Sequence, residues 1–156
     1  MDARSTSAVH DLGLLLIRIM LGVVFMFHGG QKLFGWFDGP GMEGYIKMIE
    51  GMEQVPMPKV SAYLSACTEF IGGLLLLVGF LTRLVAIPLV INMLAAVYLV
   101  HRTAFSGPSG MEFPLTLAVV TAGIALTGAG CFSIDGCLWR RTSSPATAGV
   151  ERERAT

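Results

Sequence analysis

Four stretches of this chain, residues 12–29, 60–80, 84–100 and 113–130, are almost free of charge and dominated by Leu, Val, Ile, Ala and Phe. A helix needs about 20 such residues to cross a hydrocarbon core roughly 30 Å thick. Each stretch is therefore a candidate span. The expected fold is all-α: an integral membrane four-helix bundle occupying residues 12–139, between tails at 1–11 and 140–156. Composition agrees, because hydrophobic residues make up 53% of the 156 and charged residues only 14%, against roughly 25% charge in soluble domains. Eleven basic and eleven acidic residues balance to a net charge of zero, which excludes a nucleic-acid partner.

The first stretch is expected to be retained as a helix. The segment before it carries Asp2 and Asp11 against Arg4, a poor positive leader, and no small-x-small cleavage site follows His28. Leu81, Thr82 and Arg83 alone link the second and third stretches, which forces an antiparallel hairpin. Pro114, and less strictly Pro88, suit the first turn of a helix. The first connection, residues 30–59, is a long extramembrane loop. It opens on the interfacial aromatics Phe34, Trp36 and Phe37, turns at Asp38–Gly41, and then holds a short amphipathic helix with Tyr45, Met48, Ile49, Met52 and Val55 on one face. The methionines of that stripe read as flexible packing rather than as a soft-metal site. From Thr142 onward the composition is that of a disordered tail. Arg4, Arg83, Arg140, Arg141, Arg152 and Arg154 collect on the side of the termini, so the positive-inside rule puts both termini in the cytoplasm.

Charges inside a bilayer are costly, at least about 2.5–3.5 kcal/mol each on insertion scales. Arg18 and Glu69 are the two that need an explanation. Counted from the expected helix ends at about 1.5 Å per residue, they differ in depth by roughly 7 Å, while Lys32 stands about 14 Å from Glu69. Arg18 is therefore the expected partner of Glu69, either as a fixed pair setting helix register or with Glu69 handling protons. His28, Gln31 and Lys32 share a helix face, and with His101 and Glu112 they form an outer polar cluster. That cluster reads either as interface anchors or as a quinone headgroup site. Arg83 and Asp135 are expected to pair where helices end on the terminal side. Asn92 reads as an interhelical hydrogen bond, and Gly22, Gly72 and Gly73 as points of close backbone approach.

His28 and His101 meet the minimum for bis-histidine haem ligation, but no second matched pair exists and no haem is expected. No metal is expected either. Cys67, Cys131 and Cys137 are an odd number, and the Cys131–Cys137 spacing matches no familiar redox motif, so they read as incidental. No nucleophilic triad, phosphate loop or dinucleotide fingerprint is present.

Three motifs carry a family resemblance. Arg18-x-x-x-Gly22 leads to Phe27-His28-Gly29-x-Gln31-Lys32-Leu33-Phe34; Glu69-x-x-Gly72-Gly73-Leu74-Leu75-Leu76 leads to Gly79-x-x-Thr82-Arg83; and the last is Gly128-x-Gly130-x-x-Ser133-x-Asp135. In this order, around four spans, they resemble the DoxX family over about residues 14–138. The resemblance implies a four-helix bacterial inner-membrane protein. The family takes its name from a subunit of a thiosulfate:quinone oxidoreductase, and other members are linked to thiol and oxidative-stress defence through partner proteins. Arg18, His28, Lys32, Glu69 and Arg83 match its polar pattern. The expected function is a quinone-linked oxidoreductase subunit, with Glu69, Lys32 and His28 as the catalytic candidates and quinone as the substrate. Because no electron carrier is evident in the chain, it would work beside a partner protein or as a homo-oligomer. The alternative is a non-enzymatic membrane anchor or scaffold for a redox or stress-defence enzyme.

Overall fold

Residue by residue, the chain follows its hydropathy pattern into helices, with several of their ends displaced. The computed structural model describes residues 3–107 and 110–142. Every regular element among them is helical: α1 (Ala3–Phe34), a 3₁₀ turn (Trp36–Asp38), α2 (Gly41–Glu50), α3 (Pro58–Val78), α4 (Thr82–Leu99), α5 (Glu112–Thr127) and α6 (Ile134–Thr142). Helices α1, α3 and α4 are long and apolar enough to cross a membrane. Helix α5, with 16 residues, spans about 24 Å and completes the four-helix bundle. It stops three residues short of the expected end because Gly128 takes φ +88, which ends the helical ladder.

Helix α1 runs unbroken for 32 residues, well past both expected ends. Residues 3–11 are thus helix rather than tail. At the other end the helix continues through Gly29 and Gly30, where low helix propensity suggested a stop. Packing explains the continuation: a Cβ on Gly29 would lie 2.5 Å from the Phe70 backbone nitrogen of α3, so glycine is what lets the two helices touch. The chain breaks only at Gly35, in the left-handed region at φ +71. Gly22 and Gly73 form a second crossing point of α1 and α3, each within 2.9 Å of the other's carbonyl oxygen if it bore a Cβ.

The α3–α4 hairpin closes through residues 79–81. Gly79, at φ +69, is the left-handed cap; the Phe80 amide bonds Leu75 O and the Gly79 amide bonds Leu76 O, a Schellman closure. Helix α4 therefore starts at Thr82, two residues early, and Pro88 lies inside it rather than in its first turn. Helix α2 caps the end of the bundle opposite the termini. Its buried residues are Tyr45 and Ile49, packed with Val55 against Ala62 and Ala66 of α3. Met48 faces outward at 47% exposure, so only part of the expected stripe is buried.

The main core is Leu14, Leu21 and Phe25 of α1 with Leu76, Val85, Leu89, Met93, Ala118 and Ile124 of the other three spans. The opposite faces are apolar and exposed, with Leu16, Met20, Ile91 and Leu126 among them. Such a surface suits lipid and not water. Helix α6 lies at the terminal end of the bundle. Residues 140–142 of the expected C-terminal tail are the last turn of α6; the rest of that tail, from residue 143 onward, lies outside the described residues.

Candidate functional site

Glu69 sits mid-helix in α3 at 2% exposure. Burying a carboxylate costs several kcal/mol unless charge and hydrogen bonds compensate. Lys32 supplies both. Its Nζ lies 2.6 and 2.7 Å from Glu69 Oε1 and Oε2, and Asn92 Nδ2 of α4 donates to Oε1 at 2.9 Å. The Lys32 ammonium also stands 4.9 Å from the centre of the Tyr45 ring, whose hydroxyl is 3.0 Å from Ser65 Oγ. One carboxylate thus ties together α1, α2, α3 and α4.

This network corrects the expected Arg18–Glu69 pair. The expectation placed both helix ends at the same depth, but α1 overshoots α3 at the terminal end and continues to Phe34 at the other. Arg18 stands level with Gly79, where an added Cβ would lie 2.8 Å from Arg18 Cζ. Ten positions of chain, nearly all of them in α3 and about 15 Å long, then separate it from Glu69. At the far end the Gly29–Phe70 contact brings Lys32, one turn on, beside Glu69. Lys32, set aside as out of reach, is the partner.

Arg18 is equally buried, at 2%, and is held instead by main chain. It donates to the carbonyls of Ala129 and of Phe132, the latter at 2.5 Å. The expected Arg83–Asp135 pair does not form either. Asp135 caps the start of α4, accepting from the Leu81 and Thr82 amides at 2.8 and 2.9 Å. A carboxylate is favoured there by the unpaired amides and the helix dipole. Arg83 donates to Leu126 O at 3.2 Å. None of the three cysteines is in a disulfide among the described residues; Cys131 donates through Sγ and its amide to the Asp11 carboxylate at 2.8 and 3.1 Å.

Above Glu69 opens a cavity of about 410 Å³, lined by Phe25, His28 and Lys32 of α1, Glu69 of α3, Met93 and Ala96 of α4, and His101, Glu112 and Phe113 around the α4–α5 connection. His28 Nδ1 lies 2.9 Å from Val24 O, and its ring is 5.6 Å from those of Phe27 and Phe113. His101 Nδ1 is buried with no hydrogen-bond partner among the described residues. Glu112 Oε1 accepts from Ser106 Oγ at 3.0 Å. Of the expected outer cluster, Gln31 departs. Its backbone is covered by the chain at Gly39, where a Cβ would lie 2.6 Å from Gln31 Cβ, and it does not line the cavity. The apolar wall of Phe25, Met93 and Phe113 carries no sequence signal, since such residues fill any span. Asn92 does make an interhelical bond as expected, but to the site's carboxylate.

A cavity with an aromatic wall, a buried ion pair and two imidazoles is chemically equipped to hold a flat polar ring and to exchange protons with it.

A family model described as DoxX matches residues 13–102. The chain is similar to the protein named "Putative oxidoreductase CatD" of Bacillus subtilis (strain 168), at 32% identity over 126 residues, 80% of this chain and 86% of the relative. It is also similar to "Inner membrane protein YqjF" of Escherichia coli (strain K12), at 32% over 133 residues, 83% and 95% of the two chains. "Uncharacterized membrane protein Rv3486" of Mycobacterium tuberculosis (strain ATCC 25618 / H37Rv) shares 31% over 150 residues, 86% and 83%. No solved structure matches.

Proposed function

The chain belongs to the DoxX family of membrane proteins, and on that footing we propose that it is the quinone-binding membrane subunit of an oxidoreductase. The observation that carries the reading is the cavity, which brings His28, Lys32, Glu69, His101 and Glu112 together from distant parts of the chain. A quinone headgroup enters from the bilayer. A reduced partner protein supplies two electrons, and two protons reach the ring oxygens by way of the ionisable residues, giving quinol. Lys32 and Glu69 hold the proton inventory next to the ring; the apolar wall excludes water. The name of the Bacillus relative supports a redox role. The Escherichia relative's name supports placement in a bacterial inner membrane, with both termini in the cytoplasm by the charge bias.

The test is a titration of a short-chain quinone analogue against the purified protein and Glu69→Gln. Glutamine keeps the shape and the acceptor for Asn92 but loses the charge that holds Lys32. Saturable binding by the wild type, weakened tenfold or more by the substitution, is expected. The anchor reading has one observation in its favour: Glu69 is fully satisfied by Lys32 and Asn92, as a packing device would be. No quinone binding by the wild type, with Glu69→Gln merely less stable, would decide for it.

A further inference from the structure

Resting on the quinone reading of the cavity, we propose that the site selects the reduced, hydroxyl-bearing form of its ligand, a hydroquinone, and that His28 Nε2 is the selecting atom. His28 Nδ1 lies 2.9 Å from the Val24 carbonyl oxygen one turn earlier in α1. A carbonyl only accepts, so Nδ1 carries the hydrogen, and in the neutral ring Nε2 then carries a lone pair. The ring is held between Phe27 and Phe113. Nε2 has no hydrogen-bond partner among the described residues, and His28 lines the cavity.

Lys32 and Asn92, the donors beside Glu69, are committed to it. Lys32 faces both oxygens of Glu69 and the Tyr45 ring, and Asn92 donates to Glu69. His101 Nδ1 is buried without a hydrogen-bond partner among the described residues, and its residue lines the cavity. Glu112 accepts from Ser106 and, as a carboxylate, has only further acceptor capacity. For a ligand, His28 Nε2 is an acceptor with no partner among the described residues, and Glu112 keeps acceptor capacity. A quinone presents only carbonyl oxygens and leaves them unpaired; a hydroquinone presents two O–H donors. A site that hydrogen-bonds a hydroxyl discriminates strongly against the analogue lacking it, because its own polar groups are left without partners.

Preference for the reduced form has a redox consequence. For a two-electron couple, each tenfold of preference raises the reduction potential of the bound quinone by about 30 mV. The bound quinone becomes the stronger oxidant and draws electrons from the partner more readily than quinone free in the bilayer.

The experiment measures anaerobic equilibrium binding of a short-chain hydroquinone and of its quinone to the wild type and to His28→Phe in detergent. Phenylalanine retains an aromatic ring between Phe27 and Phe113 but has no acceptor. The wild type is expected to bind the hydroquinone at least tenfold more tightly, and His28→Phe to bring the two forms within threefold. Equal affinities in the wild type would overturn the selection while leaving the quinone reading intact. Preference unchanged in His28→Phe would overturn the role of His28, and binding of neither form would overturn the quinone reading itself. Ring ¹⁵N spectra of the wild type test the same point without a variant. An Nδ1–H tautomer whose Nε2 resonance moves with hydroquinone and not with quinone is expected; the opposite tautomer would overturn the proposal.

Discussion

Arg18 and Glu69 are buried to the same degree, each 2% exposed, yet the bundle treats them differently. At the terminal end, Arg18 is closed in by main chain. Its guanidinium donates to Ala129 and Phe132 carbonyls, and Gly79 lies against it. At the opposite end, Glu69 has a charged partner, a side-chain amide and an open cavity beside it. A guanidinium fixed to carbonyls has no proton to exchange and no room for a ligand, so it serves as a clamp between α1 and the α5–α6 turn. A carboxylate paired with a lysine at the wall of a cavity has both. Burial alone does not separate a clamp from a site; the chemistry of the partner and the presence of space do.

Substitutions can break this contrast. Lys32→Met is expected to have the largest effect, since it leaves the Glu69 charge buried without its counterion, at a cost of about 3–5 kcal/mol. Thermal unfolding in detergent should show it, and the double variant Lys32→Met/Glu69→Gln should recover most of the loss. If it does not, the pair is not the reason for the instability. Arg18→Met follows, with roughly 2–3 kcal/mol lost as two carbonyls lose a charged donor. Quinone-analogue affinity should stay within threefold of wild type, and a collapse of binding in a folded Arg18→Met would erase the distinction between clamp and site.

Asp135→Ala removes the cap on the Leu81 and Thr82 amides and is expected to cost about 1 kcal/mol, seen as a small fall in melting temperature with binding intact. The smallest effect belongs to Lys47→Ala. Glu43 and Lys47 form a 2.9 Å pair one turn apart on the exposed face of α2. The hydrogen bond and charge of Lys47 lower the Glu43 pKa, and those of Glu43 raise that of Lys47. Any stability from Glu43 would be present above its unfolded pKa and lost as pH falls through the lower folded value. Solvent screens so exposed a pair, so the substitution should leave the melting temperature equal to that of the wild type within error, both above that pH window and below it.

Much of the fold was legible in the residues. The four apolar stretches, the α3–α4 hairpin, the amphipathic α2 and the glycine contacts at Gly22 and Gly73 all follow from hydropathy, spacing and side-chain size. The site was legible as a list and not as an arrangement. Glu69, Lys32, His28, His101 and Glu112 stand out because ionisable residues in or beside spans are conspicuous. Which of them meet depends on how far α1 slides along α3. That slide cannot be counted from expected helix ends, which were nine residues out at the start of α1 and five at its finish.

What the sequence determined by itself was the environment and the class of structure: long uncharged stretches leave no alternative to lipid, and the cost of unpaired backbone in lipid leaves helices as the way to satisfy it. What only the tertiary structure decided was the pairing of charges. Helix register is set by contacts between side chains and backbones on different helices, here Gly29 against Phe70 and Gly22 against Gly73. A shift of two or three turns in that register exchanges one partner for another without changing a single local preference.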